Sequence, residues 1–516
     1  MRGVTGNVTK NDYEEVAYPG APHPDARPSR IAAIAALFGF EVASPLRCRV
    51  LEIGGGDGSA LIPLALEAPQ ATFYGFDLSQ SAVERGQARI RELGLSNITL
   101  AQGDITTFEA VEPFDYIIAH GVFSWVPPEV QEQLLGLCQR LLAPHGLAYL
   151  TYATYPGCHQ REMVRNLMLF HAARLPPGHD VVAEGVEWAR FVAQHHTGPE
   201  VHGKAIEHEL ARIQRDGLNY ARHDDFSENH SPLYFGELVH HARAQGLEFF
   251  AEGLFFYFDD PRQSPEVTSR VDQLSAGDPI IREQYLDFLR GRAFRQTLFC
   301  RADAAPPRDW QLDRMLGLCA AARLVPQALT LALGAVETEE FTSHAGVSLK
   351  ADSPLVRFAL RELANRWPAA LPIAELLQQA EAALPPLAEA DRVAQRELLL
   401  RRLLRAAALK IVELDVAPPA FDRGLAEKPR AGRLARLEAQ HGLLVTNIWQ
   451  HRVNLEDEPT RYLVSLLDGS RDQKTLARLM HKFFVSLKAP QTPTLDQVSE
   501  QLGAVLAGLR RRGLLY

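Results

Sequence analysis

Short apolar runs separated by amphipathic stretches organise the first third of the chain. The runs at 50–53, 72–77, 98–102, 116–119 and 147–152 have the length of buried strands. Between them, 79–93 and 128–142 carry apolar residues at helical spacing. Ser29 is placed to cap a further helix over 30–38, where Ile31, Ile34, Leu37 and Phe38 fall on one face. Short strands alternating with helices predict a parallel, doubly wound sheet. In such sheets ligands bind beyond the carboxyl ends of the strands, so the polar residues at those ends carry the candidate chemistry.

The first run ends in four glycines within five residues, Gly54, Gly55, Gly56 and Gly58, and a helical pattern follows at once. A strand, a glycine turn and a helix N-terminus form a cradle in which a ligand can touch bare backbone N–H groups. The dinucleotide spacing G-x-G-x-x-G fails in both registers, because its third glycine would fall on Ser59 or Leu61. What stands is Glu52-x-Gly54-x-Gly56-x-Gly58, which resembles motif I of the class I S-adenosylmethionine-dependent methyltransferases. An acid at the strand end suits a cationic ammonium better than a pyrophosphate. Asp77 ends the second run, where an acid accepts hydrogen bonds from a ribose diol. Asp104 follows the third, where an acceptor suits an adenine amino group and Gly103 would let the base lie close. Leu78 and Ile105 complete the expected cofactor set. After the fourth run, His120 and Trp125 sit where two substrates would meet. The Pro-Pro-aromatic signature of DNA amino-methyltransferases is missing, since 126–129 reads Val-Pro-Pro-Glu.

Beyond residue 155 the pattern changes. A compact methyltransferase would finish its sheet with a strand hairpin; here helical segments follow, then the segments His-Asp-Asp-Phe (223–226) and Pro-Leu-Tyr-Phe (232–235). A short strand is expected at 247–249 and a basic helix over 287–295. With the arm segment at 13–19 and the Trp-Val-Pro at 125–127, these stretches resemble the methyltransferase regulatory domain of bacterial protein-lysine methyltransferases of the rickettsial type. The resemblance implies a Rossmann-like doubly wound α/β methyltransferase domain, an α+β middle (regulatory) domain covering the cleft, and a mainly helical, winged-helix-like C-terminal region. The expected boundaries are an arm at 1–28, the cofactor domain at 29–160, the middle domain at 161–300, a helical domain at 301–415 and the winged-helix-like domain at 416–516.

The reading that follows is S-adenosylmethionine-dependent methyl transfer to protein lysine. A small-molecule acceptor, or a non-catalytic cofactor-binding scaffold, are the alternatives. His120, Trp125, Tyr13, Tyr18 and Tyr155 are the candidates for the acceptor channel, with His120 shared with the cofactor. Tyr13 and Tyr18 also admit a pure packing role, and His223 and Asp224 admit either catalysis or packing. The acceptor expected is a protein, an outer-membrane or surface protein among them, or a small molecule; a homodimer is also admitted.

Composition narrows this further. The formal net charge of −9 argues against a dedicated nucleic-acid binder. The five cysteines are scattered without CxxC or metal spacing, as in reduced cytoplasmic proteins, and no metal site is expected. The first fifteen residues hold no apolar signal core, and no run approaches a membrane span. A cytoplasmic enzyme without membrane insertion is the expectation.

Overall fold

The computed structural model describes residue 14 and residues 16–326, 338–386, 388–421, 427–487 and 492–516. Seven strands form its central sheet: β1 (Arg49–Ile53), β2 (Thr72–Asp77), β3 (Ile98–Gln102), β4 (Phe114–Ala119), β5 (Leu142–Ala153), β6 (Leu247–Glu252) and β7 (Phe294–Arg301). Their order is β3-β2-β1-β4-β5-β7-β6. The first five pair in parallel, whereas β7 runs antiparallel to both β5 and β6. The sheet is buried on both faces. Val50 and Tyr116 belong to the core on one side, and Leu51, Ile53 and Ile117 to the core on the other.

The order reverses at β1, which has β2 on one side and β4 on the other. Glu52 is in register with Gly75 of β2 and Ile118 of β4. This reversal opens a crevice above the carboxyl ends of β1 and β4, where the glycine turn and His120 sit.

Three sequence expectations change here. The closing strands are present, but they come late in the chain. Helices Cys158–Ala172, Val181–His195, Glu200–Asp216 and Leu218–Asp224 intervene between β5 and β6, packed on their own core of Val164, Met168, Ile206 and Phe226. The stretch over 287–295 is not one basic helix. Helix Pro279–Arg290 ends at Gly291, whose φ of 56° makes a left-handed cap, and β7 begins at Phe294. Ser29 likewise caps nothing. Helix Pro28–Phe38 starts two residues earlier with Pro28 at its first position, and the Ser29 hydroxyl donates to Asp415 at 3.0 Å instead.

The C-terminal part holds helices Pro354–Arg366, Ile373–Ala383 and Glu389–Ala408, and then a separate core around Val445, Leu463, Leu476 and Leu506. That core joins helices Arg433–His441, Glu458–Leu466, Gln473–Ser486 and Leu495–Arg511 to the hairpin Leu444–Thr446/Arg452–Asn454. Among the described residues no helix is long and apolar enough to cross a membrane.

Candidate active site

Four buried residues of β1 run straight into a turn in which Gly54, Gly56 and Gly58 all take positive φ, at 70°, 51° and 71°. The turn is held from β2. Gly55 N–H donates to Phe76 O at 3.0 Å, and Gly56 N–H donates to Asp77 Oδ2 at 2.8 Å. The glycines do different jobs. A Cβ on Gly54 would lie 2.5 Å from Val122, so that residue is needed for close packing as well as for its backbone angle. A Cβ on Gly56 would meet nothing within 4 Å. Gly56 is the floor of an open hollow.

Glu52 lies beneath this floor. Its carboxyl is buried, Oε2 has no hydrogen-bond partner, and a Cβ on Gly55 would stand 3.1 Å from that oxygen. Burial, reinforced by the charges of Asp77 and Asp57, pushes its pKa up to about 8. A buried acid without a partner, facing bare backbone, is a site awaiting a positive group. The residues present therefore fit an amino-acid ammonium bound above the turn.

Asp77 accepts from Ser79 N–H at 2.9 Å as well as from Gly56, and burial raises its pKa. Ser79 is the cap of helix Gln80–Glu92, accepting from Ala82 N–H at 3.2 Å. Leu78 beside it is 50 % exposed, an apolar face turned outward from the strand end. Asp104 shapes its own turn, its Oδ1 accepting from both N–H and hydroxyl of Thr106 at 2.9 and 2.8 Å. Ile105 packs half-buried with Phe108, which stacks on Phe76 at 4.3 Å. Gly103 packs closely on Phe76: a Cβ there would stand 3.2 Å from that ring.

On the β4 side, His120 is half-buried, and its Nδ1 has no partner among the described residues. Its ring stacks on His23 of the N-terminal arm at 3.6 Å, and burial with that neighbour holds its pKa well below the usual imidazole value. The pair is neutral at physiological pH. Next to it Gly121 N–H donates to the Thr151 hydroxyl at 2.7 Å.

The acceptor candidates divide. Trp125 and Tyr155 stand beyond the ends of β4 and β5, but each is engaged by the helical insertion. Trp125 Nε1–H donates to Asp224 O at 3.4 Å, and its ring meets His230 edge-on at 6.1 Å. The Tyr155 hydroxyl donates to Glu162 at 2.9 Å, and its ring stacks on His159 at 4.2 Å. Tyr18 packs against Tyr220 and His223, 5.4 Å from each. Tyr13 lies outside the described residues.

His223 is buried beneath Tyr18, and burial lowers its pKa. Burial pushes Asp224 up to about 6, against the pull of Arg161 at 3.7 Å. Its neighbour Asp225 is held low by Arg161 at 2.9 Å and by Arg212, which reaches both of its oxygens at 2.8 Å. These ion pairs join helices Cys158–Ala172 and Glu200–Asp216 to the end of helix Leu218–Asp224 within the insertion. His23, Glu162 and His230 were not singled out in the sequence. His23 reaches the site from the irregular arm, Glu162 from helix Cys158–Ala172, and His230 from the loop before the Pro-Leu-Tyr-Phe segment.

Comparison with known proteins fits this geometry. A methyltransferase domain model matches residues 46–215, the "Predicted methyltransferase regulatory domain" matches 218–301, and the "PKMT, C-terminal winged helix domain" matches 427–513. The protein RP028 of Rickettsia prowazekii is 30 % identical over 240 residues, covering 46 % of this chain and 95 % of that protein. The chain belongs to the class I S-adenosylmethionine-dependent methyltransferases that carry a regulatory domain. A second protein of the same organism, RP789, is 33 % identical over 315 residues; the match covers 60 % of this chain but only 56 % of RP789. The structure of PKMT2 from Rickettsia typhi in complex with AdoHcy shares the fold, with a TM-score of 0.85 at 22 % identity over 96 % of this chain and 99 % of that one. In this methyltransferase the regulatory-domain match supplies β6 and β7, so that region completes the catalytic sheet.

Proposed function

We propose that the chain transfers the methyl group of S-adenosylmethionine to the side-chain amine of a protein lysine. The observation that carries the reading is the unpartnered, buried Glu52 under the open face of Gly56. When bound, the cofactor supplies a methyl group on a positively charged sulfur. The chain's own residues do the rest by positioning and by excluding water. Glu52 accepts from the ammonium, Asp77 from the ribose hydroxyls, and Asp104 with Ile105 borders the base. His120, neutral and stacked, closes the end where the methyl group would lie.

The lysine reading is supported by the wall beyond β5. A lysine ammonium has no lone pair and must lose a proton before it can attack. Tyr155, His159, Tyr234 and Trp125 supply aromatic faces, and Glu162 supplies a carboxylate already held by a hydroxyl. Arg161 and Arg165 stand close behind, where their charge lowers the pKa of an incoming ammonium. The PKMT label of the winged-helix model and of the Rickettsia typhi structures supports the same acceptor class. Incubation of a lysate with methyl-labelled cofactor tests this. Label on lysine of a discrete protein is expected. Label confined to metabolites, or cofactor binding without turnover, would replace the lysine reading.

Glu52 also sets a pH dependence. In the free protein it is mostly protonated at neutral pH. An ammonium binds the ionised form, so cofactor binding releases a proton and tightens from about pH 6 to about pH 8. For stability the sign is that of a raised carboxyl. The protonated form favours the free fold at low pH, and that contribution fades as pH rises from the unfolded value, about 4.3, through 8. Glu52→Gln therefore flattens the decline in melting temperature across this range. Titration calorimetry in two buffers of different ionisation enthalpy reads the proton directly; identical enthalpies in both would count against the assignment.

A further inference from the structure

The N-terminal arm crosses the mouth of the cleft and touches the segment after each of three strands. Glu14 accepts from Ser81 N–H at 3.3 Å, beyond β2. Gly20 lies on the turn after β1, so closely that a Cβ there would stand 2.5 Å from Asp57 Oδ1 and 2.6 Å from Ser59 Oγ. Those two side chains cannot easily yield, since Asp57 is fixed by Ser59 and by Arg89 at 3.1 Å. His23 stacks on His120, after β4. The three contacts surround Gly56, above which the space stays open. The arm roofs a hollow rather than filling it.

The roof is lightly held. Residues 17 and 18 are exposed, Tyr18 at 42 %, and the described contacts of this part of the arm include single hydrogen bonds at Glu14 and Pro19 and the edge-on and tilted ring contacts of Tyr18. From Ala26 onward the chain is buried, with Arg27 paired to Glu67 at 3.0 Å and Asp415 at 3.1 Å. A weakly held stretch running into a firmly anchored one is built to open locally. One of its bonds comes from far along the chain. Arg452, exposed on the hairpin of the winged-helix domain, donates to the Gly20 carbonyl. Its charge also bears on His23 and Tyr220, and Tyr220 itself donates to the Pro19 carbonyl at 3.1 Å.

We propose that residues 16–23 form a strap that retains the cofactor, and that Arg452 of the winged-helix domain is its latch. The proposal rests on the cofactor reading of the cleft. It means that whatever engages the hairpin of the C-terminal domain controls cofactor exchange.

The test uses the full chain and S-adenosylhomocysteine. Release of the labelled compound is followed in a chase, and amide hydrogen exchange of 16–23 is measured without ligand. Losing one charged hydrogen bond on the strap should speed release in Arg452→Ala by about tenfold. Association should quicken too, so affinity changes less than either rate. Arg452→Lys should fall between, and Tyr220→Phe should show a smaller effect of the same sign. Strap amides should exchange faster in Arg452→Ala even in the free protein. Normal binding with unchanged release and exchange in both Arg452→Ala and Tyr220→Phe overturns the latch alone. Wild-type protein that does not bind the compound overturns the cofactor reading, and the strap with it.

Discussion

Gly56→Val is expected to abolish cofactor binding while leaving the protein folded. The two effects separate because of where the new side chain goes. A Cβ at this position meets no protein atom within 4 Å, so the side chain leaves the backbone into open space rather than into packed neighbours. The only structural cost is the backbone angle of φ 51°, which for a non-glycine residue is on the order of 1–2 kcal/mol. At about 2–4 °C per kcal/mol for a domain of this size, the melting temperature should fall by a few degrees. The ligand loses far more. Two methyl groups enter the space it would occupy over the glycine backbone and over Glu52, and affinity should drop by at least about a hundredfold. Gly54→Val makes the contrasting control. There the Cβ would collide with Val122 at 2.5 Å, so fold and binding should fail together. Isothermal titration beside thermal melts reads both quantities. Retained binding in Gly56→Val would mean that the hollow is not where the cofactor sits.

How much of this was legible in the sequence depends on the range of the interaction that fixes each part. The glycine turn and the acids after β2 and β3 are dictated by local backbone needs, and each was visible within a dozen residues. The parallel pairing of the first five strands followed from the alternation of strand and helix. Residues 154–246 hid the link to the sheet, because an inserted helical unit with its own amphipathic periodicity separates β5 from the closing strands: β6 was read as a short strand at 247–249 but not joined to the sheet, and β7 was missed. His23, Glu162 and His230 were invisible for the same reason. His23 meets His120 across nearly a hundred positions, and nothing near either residue marks the pair. Trp125 and Tyr155 follow β4 and β5, but the partners that engage them, Asp224 and Glu162, come from the insertion. Tertiary contact chose those partners.

The stretch 287–295 was misread because its charges look like those of a solvated helix face, and its correction yields the largest stability prediction. Arg295 on β7 is fully buried. Its guanidinium reaches Asp287 at 2.9 Å, Glu283 at 2.7 Å and Glu252 at 3.1 Å, and lies 3.7 Å over the Phe235 ring. Arg292 adds a bond to Glu252. Three buried carboxyls thus face two cations. The imbalance shows in Asp287, pushed up to about 7 chiefly by burial, while the arginines hold Glu252 low against its own burial. Arg295→Met keeps the volume and removes one of the two cations, leaving buried carboxyls uncompensated. Breaking a buried pair in this way costs about 3–5 kcal/mol, or on the order of 10 °C in melting temperature. The loss should shrink as pH falls below about 6, because the orphaned carboxyls can then take up protons. The double variant Arg295→Met with Glu252→Gln should recover part of it. Activity should fall as well, because β7 and the turn before it hold the proposed acceptor wall. Ala293 O accepts from Thr154 N–H at 3.0 Å, and Arg292 O accepts from Gly157 N–H at 2.9 Å, on either side of Tyr155. Denaturant melts over a pH series decide the matter: a cost under about 1 kcal/mol at every pH would mean the network behaves like surface charge, and β7 would then owe its place to apolar packing alone.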